Sequence, residues 1–287
     1  MLVYSRTDGN SCSGELIKVW RLVFSFLEAT DSATRREAAV TLATLTHCFS
    51  QPLVLSATDN TDSKNTLLQI IQQTTNALQS IAYARSTPEL LHIISALISS
   101  LRIRPKGPKT PTAAELFLIS LIQQIAEMRI AKGFEYKEAA DDALKTAMSV
   151  LGPEVLLKAL PLNLEPEDRY EWIKKLEDNT MLTLRYACRT AGREPRAFLL
   201  PLLVHPHPSP LKHFISYFIP LTERMFDLQQ KAEAEGRQSE AKVWNVLVAQ
   251  VWNGLPAYCY KTPDLQEVRI QVFVVSTPIT NCLHLVS

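Results

Sequence analysis

Three histidines and a cysteine are the residues whose types first suggest chemistry. His205, His207 and His213 lie close together, with Cys259 farther on, and imidazole and thiolate are ligands that zinc favours. A zinc site also needs ligands that converge and an outer layer of hydrogen bonds that aims them. Pro206 and Pro208 make the HPHP stretch an extended loop. Spacing alone closes no site, so the expectation is a solvated loop with no metal. Patterns for nucleophilic or metal-assisted catalysis are lacking: there is no G-x-S-x-G and no H-E-x-x-H. Gly9 and Gly14 have phosphate-loop spacing, but Glu15 and Leu16 follow where that loop needs Lys and Ser or Thr. Asp141 and Asp142 are neighbours within a helix, point apart and read as a solvated face. No catalytic residue and no cofactor follow, and the chain reads as non-enzymatic.

A second cluster is basic. In RIRPKGPK, Arg102, Arg104, Lys106 and Lys109 group without an acid nearby in sequence, and the prolines are expected to keep the loop extended. Cations so placed neutralise phosphates, which makes this loop the candidate RNA contact. No aromatic residue interleaves them, so base stacking is not indicated. The competing reading is an ordinary solvated connector.

The totals bound what must position these groups. A chain of 287 residues suffices for one large core or for several stacked units. With 46% apolar and 21% charged residues it is globular rather than disordered. Eight glycines are too few for a β-rich chain with many tight turns or for glycine-rich phosphate loops. A net charge of +1 does not mark a bulk nucleic-acid binder, although a local patch remains open. Five scattered cysteines, with no C-x-x-C pair, suggest free thiols in a reducing compartment. Met1 to Asn10 lacks the basic start and apolar run of a signal peptide. The most apolar windows, such as Leu90 to Leu101, stop short of a membrane span, so no membrane partner is expected.

Helical periodicity dominates the chain. Leu16, Val19, Trp20, Val23 and Leu27 share one face of a helix over 15–28, and Asp31 can cap the next, 31–49. Residues 50–63 are polar and read as a loop. Helices follow over 64–84 and 88–101, the second with Pro88 in its first turn. The helix over 112–132 is apolar almost all round in its first half, from Leu116 to Ile122, and should be buried on more than one side. Gly133 ends it, and a helix over 135–151 comes next. These helices pair as 15–28 with 31–49, 64–84 with 88–101, and 112–132 with 135–151. The first members begin 49 and 48 residues apart, near the roughly 40–47 of HEAT and armadillo helical hairpins.

VLGPEVLLKALPLNL, residues 150–164, fits such an array. Gly152 can take a left-handed conformation, Pro153 loses nothing by lacking an N–H in a first turn, and Glu154 suits the positive end of the helix dipole. About two turns follow before Pro161, too short to persist alone, so the leucines must be covered by neighbouring helices. One or two polar helices are expected over 167–191. A long helix over 211–234 should kink at Pro220. Trp244 and Trp252 lie on one stripe of a helix over 239–253 and read as core, the sharper alternative being a peptide-binding groove. VRIQVFVV has the alternation of a strand.

Four stretches together carry a family resemblance: VLGPEVLLKALPLNL at 150–164, RAFLLPLL at 196–203, FISYFIPLTERMF at 214–226 and VWNVLVAQVWNGLPAYCYKTPDL at 243–265. With these, residues 135–265 resemble the ribosomal RNA-processing protein 12 family of nuclear HEAT-repeat proteins. The front third matches only as a generic helical repeat. Residues 165–191 stand where the family passes quickly from LPLNL to LLPLL, and 266–287 do not resemble the helix expected after TPDL. Family members are much longer, so the resemblance implies a fragment or a truncated gene model. It further implies a nucleolar scaffold of small-subunit ribosome precursors, active in rRNA processing and nuclear export. Pre-ribosomal proteins and rRNA are its implied partners, with Ran and nucleoporin repeats also implied. The expected architecture is an all-α solenoid of HEAT/armadillo-like hairpins, one array over 1–265 with an atypical tail at 266–287. A karyopherin-like transport receptor, a generic protein-binding solenoid and a helical enzyme domain are the alternatives.

Overall fold

Side-chain capping starts three of the expected helices. The structure, a computed structural model, describes residues 9–59, 65–107, 110–164, 195–260 and 264. The expected helices over 167–191 and the strand VRIQVFVV lie outside the described residues, which are helical throughout and contain no strand. The chain divides into two compact units, Met1–Arg196 and Ala197–Ser287.

In the first unit α1 spans Gly9–Ser25, α2 Ser32–Leu45, α3 Gln51–Asp59, α4 Thr66–Gln79, α5 Thr87–Ser100, α6 Ala113–Ile130, α7 Lys137–Leu151 and α8 Pro153–Ala159. Asp31 caps α2 by accepting from the Thr34 N–H at 2.7 Å. Asn65 accepts from Leu67 at 2.9 Å to cap α4, and Thr112 accepts from Glu115 to cap α6. Each cap occupies an N–H that the helix itself leaves without a partner.

The hairpins α1–α2, α4–α5 and α6–α7 stack in two rows. One row runs α1, α4, α6, and the other α2, α5, α7, each helix packed on the next. This is the solenoid the spacing predicts. Trp20, Phe24, Leu42, Ile70, Leu91, Ile94, Leu97, Leu121, Ile122 and Leu144 are all buried between the rows. A fully buried side chain of this size contributes about 1.5–3 kcal/mol. Ala140, Ala143 and Ala147 are buried on α7 and let α5 and α6 come close. Polar links also cross between hairpins. The Ser86 hydroxyl donates to the Leu27 carbonyl, and the Tyr83 hydroxyl donates to Glu28 at 2.6 Å. Burial, reinforced by the Glu28 carboxylate, pushes the Tyr83 phenol up to about 12. Arg35 of α2 faces Glu89 of α5 at 3.7 Å, both largely buried.

Two expectations are corrected. Residues 51–59 form α3 rather than loop, because Leu53, Val54 and Ala57 give them a short buried face. On α6, Leu118, Leu121, Ile122 and Ile125 are buried and the helix packs on α4, α5, α7 and α8, so it is covered on more than one side as expected, with Leu116 half exposed. Gly152 has φ 81° and ψ 156°. That is positive φ as expected, yet in an extended region open essentially to glycine alone, not in the left-handed helical well. It lets α8 begin directly after α7 with Leu156 and Leu157 buried.

The second unit holds a 3-10 segment Ala197–Val204, a helical turn Leu211–His213, α9 Ile219–Ala234, α10 Gln238–Asn253 and α11 Leu255–Cys259. α9 and α10 form a hairpin, and α10 and α11 pack on the 3-10 segment. A π-helical stretch, Phe214–Phe218, precedes α9, so Pro220 falls in a first turn where its missing N–H is tolerated. Trp244, Leu247 and Val251 are buried, as the stripe predicts, whereas Trp252 is half-buried, its ring edge-on to Phe214 at 5.7 Å. A Cβ on Gly254 would stand 2.7 Å from the Leu203 Cβ, so close packing requires this glycine rather than backbone conformation.

Candidate functional site

The basic loop lies between α5 and α6. Its base is fixed by two backbone bonds, Ala113 N–H to the Ile103 carbonyl at 2.8 Å and Ala114 N–H to the Leu101 carbonyl at 2.9 Å. Pro105 is buried, and Thr110 bonds back to the Gly107 carbonyl, so the loop turns on itself instead of staying extended. Arg102, Arg104 and Lys106 are exposed on it, and Lys109 lies outside the described residues. Arg102 donates to the Ser99 carbonyl at 2.9 Å, and Arg104 donates to the Thr110 carbonyl. Neutral carbonyls leave both positive charges uncompensated. Lys106 differs: Asp59, at the end of α3, stands 3.3 Å away. The acid that sequence proximity did not reveal arrives from the segment read as loop.

His207 and His213 both meet Tyr258 but in different ways. His207 is buried, with its ring edge-on to Tyr258 at 4.3 Å between centroids. His213 Nδ1 is 2.8 Å from the Tyr258 hydroxyl, and its ring stacks on Tyr217. Cys259 is exposed. Among the described residues no three His, Cys, Asp or Glu side chains gather as a metal site would require. HPHP is therefore not a wholly solvated loop, since one of its histidines is core.

Neither ring nitrogen of His207 has a hydrogen-bond partner among the described residues. Burial, with the nearby His213 adding to it, lowers its pKa to about 4. The folded unit thus holds His207 neutral where an unfolded chain would take up a proton. Its stability is full above about pH 6.5 and falls as pH drops through 6.5 toward 4. We expect thermal unfolding followed by circular dichroism to show a loss on the order of 2 kcal/mol between pH 7 and pH 4.5. His207→Phe should flatten that dependence, and an unchanged pH profile would refute it.

Asp141 is not on a solvated face. It forms a two-point ion pair with Arg129, Nε to Oδ1 at 2.8 Å and Nη2 to Oδ2 at 3.2 Å, joining α6 to α7. Asp142 beside it is exposed. Sequence reasoning also missed Asp264 of TPDL. Its carboxylate accepts from the N–H groups of Leu211 and Lys212, each at 2.9 Å, and caps the helical turn that begins there.

Stacked helical hairpins and an exposed basic inter-helix loop define an α-helical repeat protein of the HEAT class. The chain belongs to the ribosomal RNA-processing protein 12 family, whose HEAT-repeat model matches residues 28–175 and 180–273. The match reaches well into the front of the chain and across most of 165–191. Over 262 residues, 91% of this chain, it is 29% identical to ribosomal RNA-processing protein 12 of Schizosaccharomyces pombe. It is 29% identical over 51% of its length to the RRP12-like protein of Gallus gallus, and 27% identical over 50% to that of Homo sapiens. The chain spans 19% of the yeast relative and 10% of each vertebrate one. No single helix among the described residues is long and apolar enough to cross a membrane.

Proposed function

We propose that this chain is a non-enzymatic scaffold segment in ribosome biogenesis, serving rRNA processing and small-subunit precursor assembly in the nucleus and nucleolus, with nuclear export of the particle. The observation that carries the reading is family membership over most of the chain. The architecture agrees with it, since a stacked helical array offers broad surfaces for docking. Its partners are pre-ribosomal proteins and rRNA, with Ran and nucleoporin repeats as transport partners. The continuous array over 1–265, with 266–287 outside it, belongs to the same proposal.

Within this reading Arg102, Arg104, Lys106 and Lys109 contact rRNA phosphates. Arg102 and Arg104 contribute more than Lys106, because Asp59 already offsets it. The tagged chain is expected to enter the nucleolus and recover precursor rRNA. Replacing all four cations with Ala should weaken binding to structured RNA. The slope of log K against log salt should fall by about 2–3, near 0.9 per lost phosphate contact. A filter-binding assay with unchanged affinity and slope would reject the contact. Recovery of Ran-GTP without any precursor rRNA would replace the scaffold with a transport receptor.

A further inference from the structure

A groove of about 900 Å³ opens on the first unit, where α1, α4 and α6 lie side by side. Its floor is unusual in chemistry. Gln69, Gln72, Gln73 and Asn76 recur along α4 at helical spacing and line it together. Arg21 is the one cation among its described lining residues, and no carboxylate is among them. That guanidinium is engaged, donating to the side-chain amide oxygen Oε1 of Gln69 at 2.8 Å. Gln72 donates to Asn76 at 2.8 Å. This bond uses one end of each amide. Whichever way the two amides are turned, the pair keeps one acceptor and one donor for a visitor.

We infer that this groove binds an extended segment of a partner polypeptide through its main chain. A primary amide carries one carbonyl and one NH₂, the counterpart of the carbonyl and N–H of a peptide group. Phosphodiesters present acceptors only, and a groove for them is lined with several free cations, which this one lacks. From Gln69 to Asn76 the helix advances about 10 Å, the reach of about three residues of extended chain. Phe117 and Tyr83, both half-buried on the walls, give apolar contact for the side chains that alternate along such a strand. The amides hold the backbone, and the aromatic walls select apolar residues.

The test is selection of a random dodecapeptide library, displayed on phage, against the full chain. Synthetic copies of enriched peptides are then measured by fluorescence polarisation. Gln72→Ala with Asn76→Ala should bind them about tenfold more weakly. Both side chains are exposed, so melting of this variant should match the parent. Ser120→Arg, which fills the groove from α6, should cause a similar loss without touching the amides. Failure to enrich any peptide would overturn the inference, as would binding unchanged in both variants. So would polyuridylate binding that these variants abolish while peptide binding persists, because the groove would then take RNA.

Discussion

Leu156→Asp is expected to unfold the rear of the first unit. Leu156 has no exposed surface, and its helix α8 packs on both α6 and α7. Removing the leucine forfeits its burial, on the order of 2–3 kcal/mol, and leaves a carboxylate where no described cation stands ready. Lys158 is nearby in sequence but is mostly exposed and paired with Glu154 at 3.3 Å. The sum exceeds about 4 kcal/mol, a large part of the 5–15 kcal/mol that holds a typical domain together. Because each hairpin is stabilised by its immediate neighbours, the damage should be graded. Hydrogen exchange should accelerate first in α6, α7 and α8, and less in α1 and α2. Leu156→Met serves as the volume-conserving control and should cost under about 1.5 kcal/mol. Equal melting and equal protease patterns for the Asp variant and the parent would contradict the packing described.

How far the sequence discloses this fold depends on the range of each interaction. The three hairpins of the first unit were legible because each carries a stripe of apolar residues at helical period, and their regular spacing implied stacking. α3 was not. Its three buried residues are outnumbered by Gln51, Ser56, Thr58 and Asp59, and its burial exists only because α1 and α4 stand beside it. The Arg129–Asp141 pair had a weaker signal that went unused: opposite charges near the adjoining ends of two consecutive helices, four residues before Gly133 and eight after it. The basic loop was visible as composition. Its doubled-back shape and the Asp59 contact were not, since the bonds that create them join separate elements. The histidines show the same division. Sequence placed three of them together, but Tyr258, which meets both His207 and His213, is brought in by the fold. The amide stripe on α4 could be read as a polar face, whereas its place in a groove required the neighbouring helices.

Arg196 should prove the most consequential single ion among the described residues. Its side chain is 3% exposed. Its guanidinium donates to the Glu127 carboxylate on α6 at 2.6 Å and to the Pro161 carbonyl at 2.9 Å, while its backbone N–H donates to the Leu162 carbonyl at 2.8 Å. These bonds join positions 69, 35 and 34 residues apart in sequence. One residue thereby ties position 196 both to α6 and to the segment 161–162. Arg196→Ala removes both side-chain bonds and leaves the Pro161 carbonyl and Glu127 without that partner. Glu127 is 28% exposed and can regain water, which holds the expected cost to about 2–3 kcal/mol, below the 3–5 of a fully buried broken pair. Arg196→Lys should recover little, because an ammonium cannot reproduce the planar fork that reaches two acceptors in different directions. Glu127→Gln alone should cost about 1 kcal/mol, and combining it with Arg196→Ala should reveal a coupling of about 1–2 kcal/mol in urea unfolding. Strictly additive costs would mean that the two groups are neighbours without being partners. The hold of Arg196 on this region would then come from its bonds to Pro161 and Leu162 and not from Glu127.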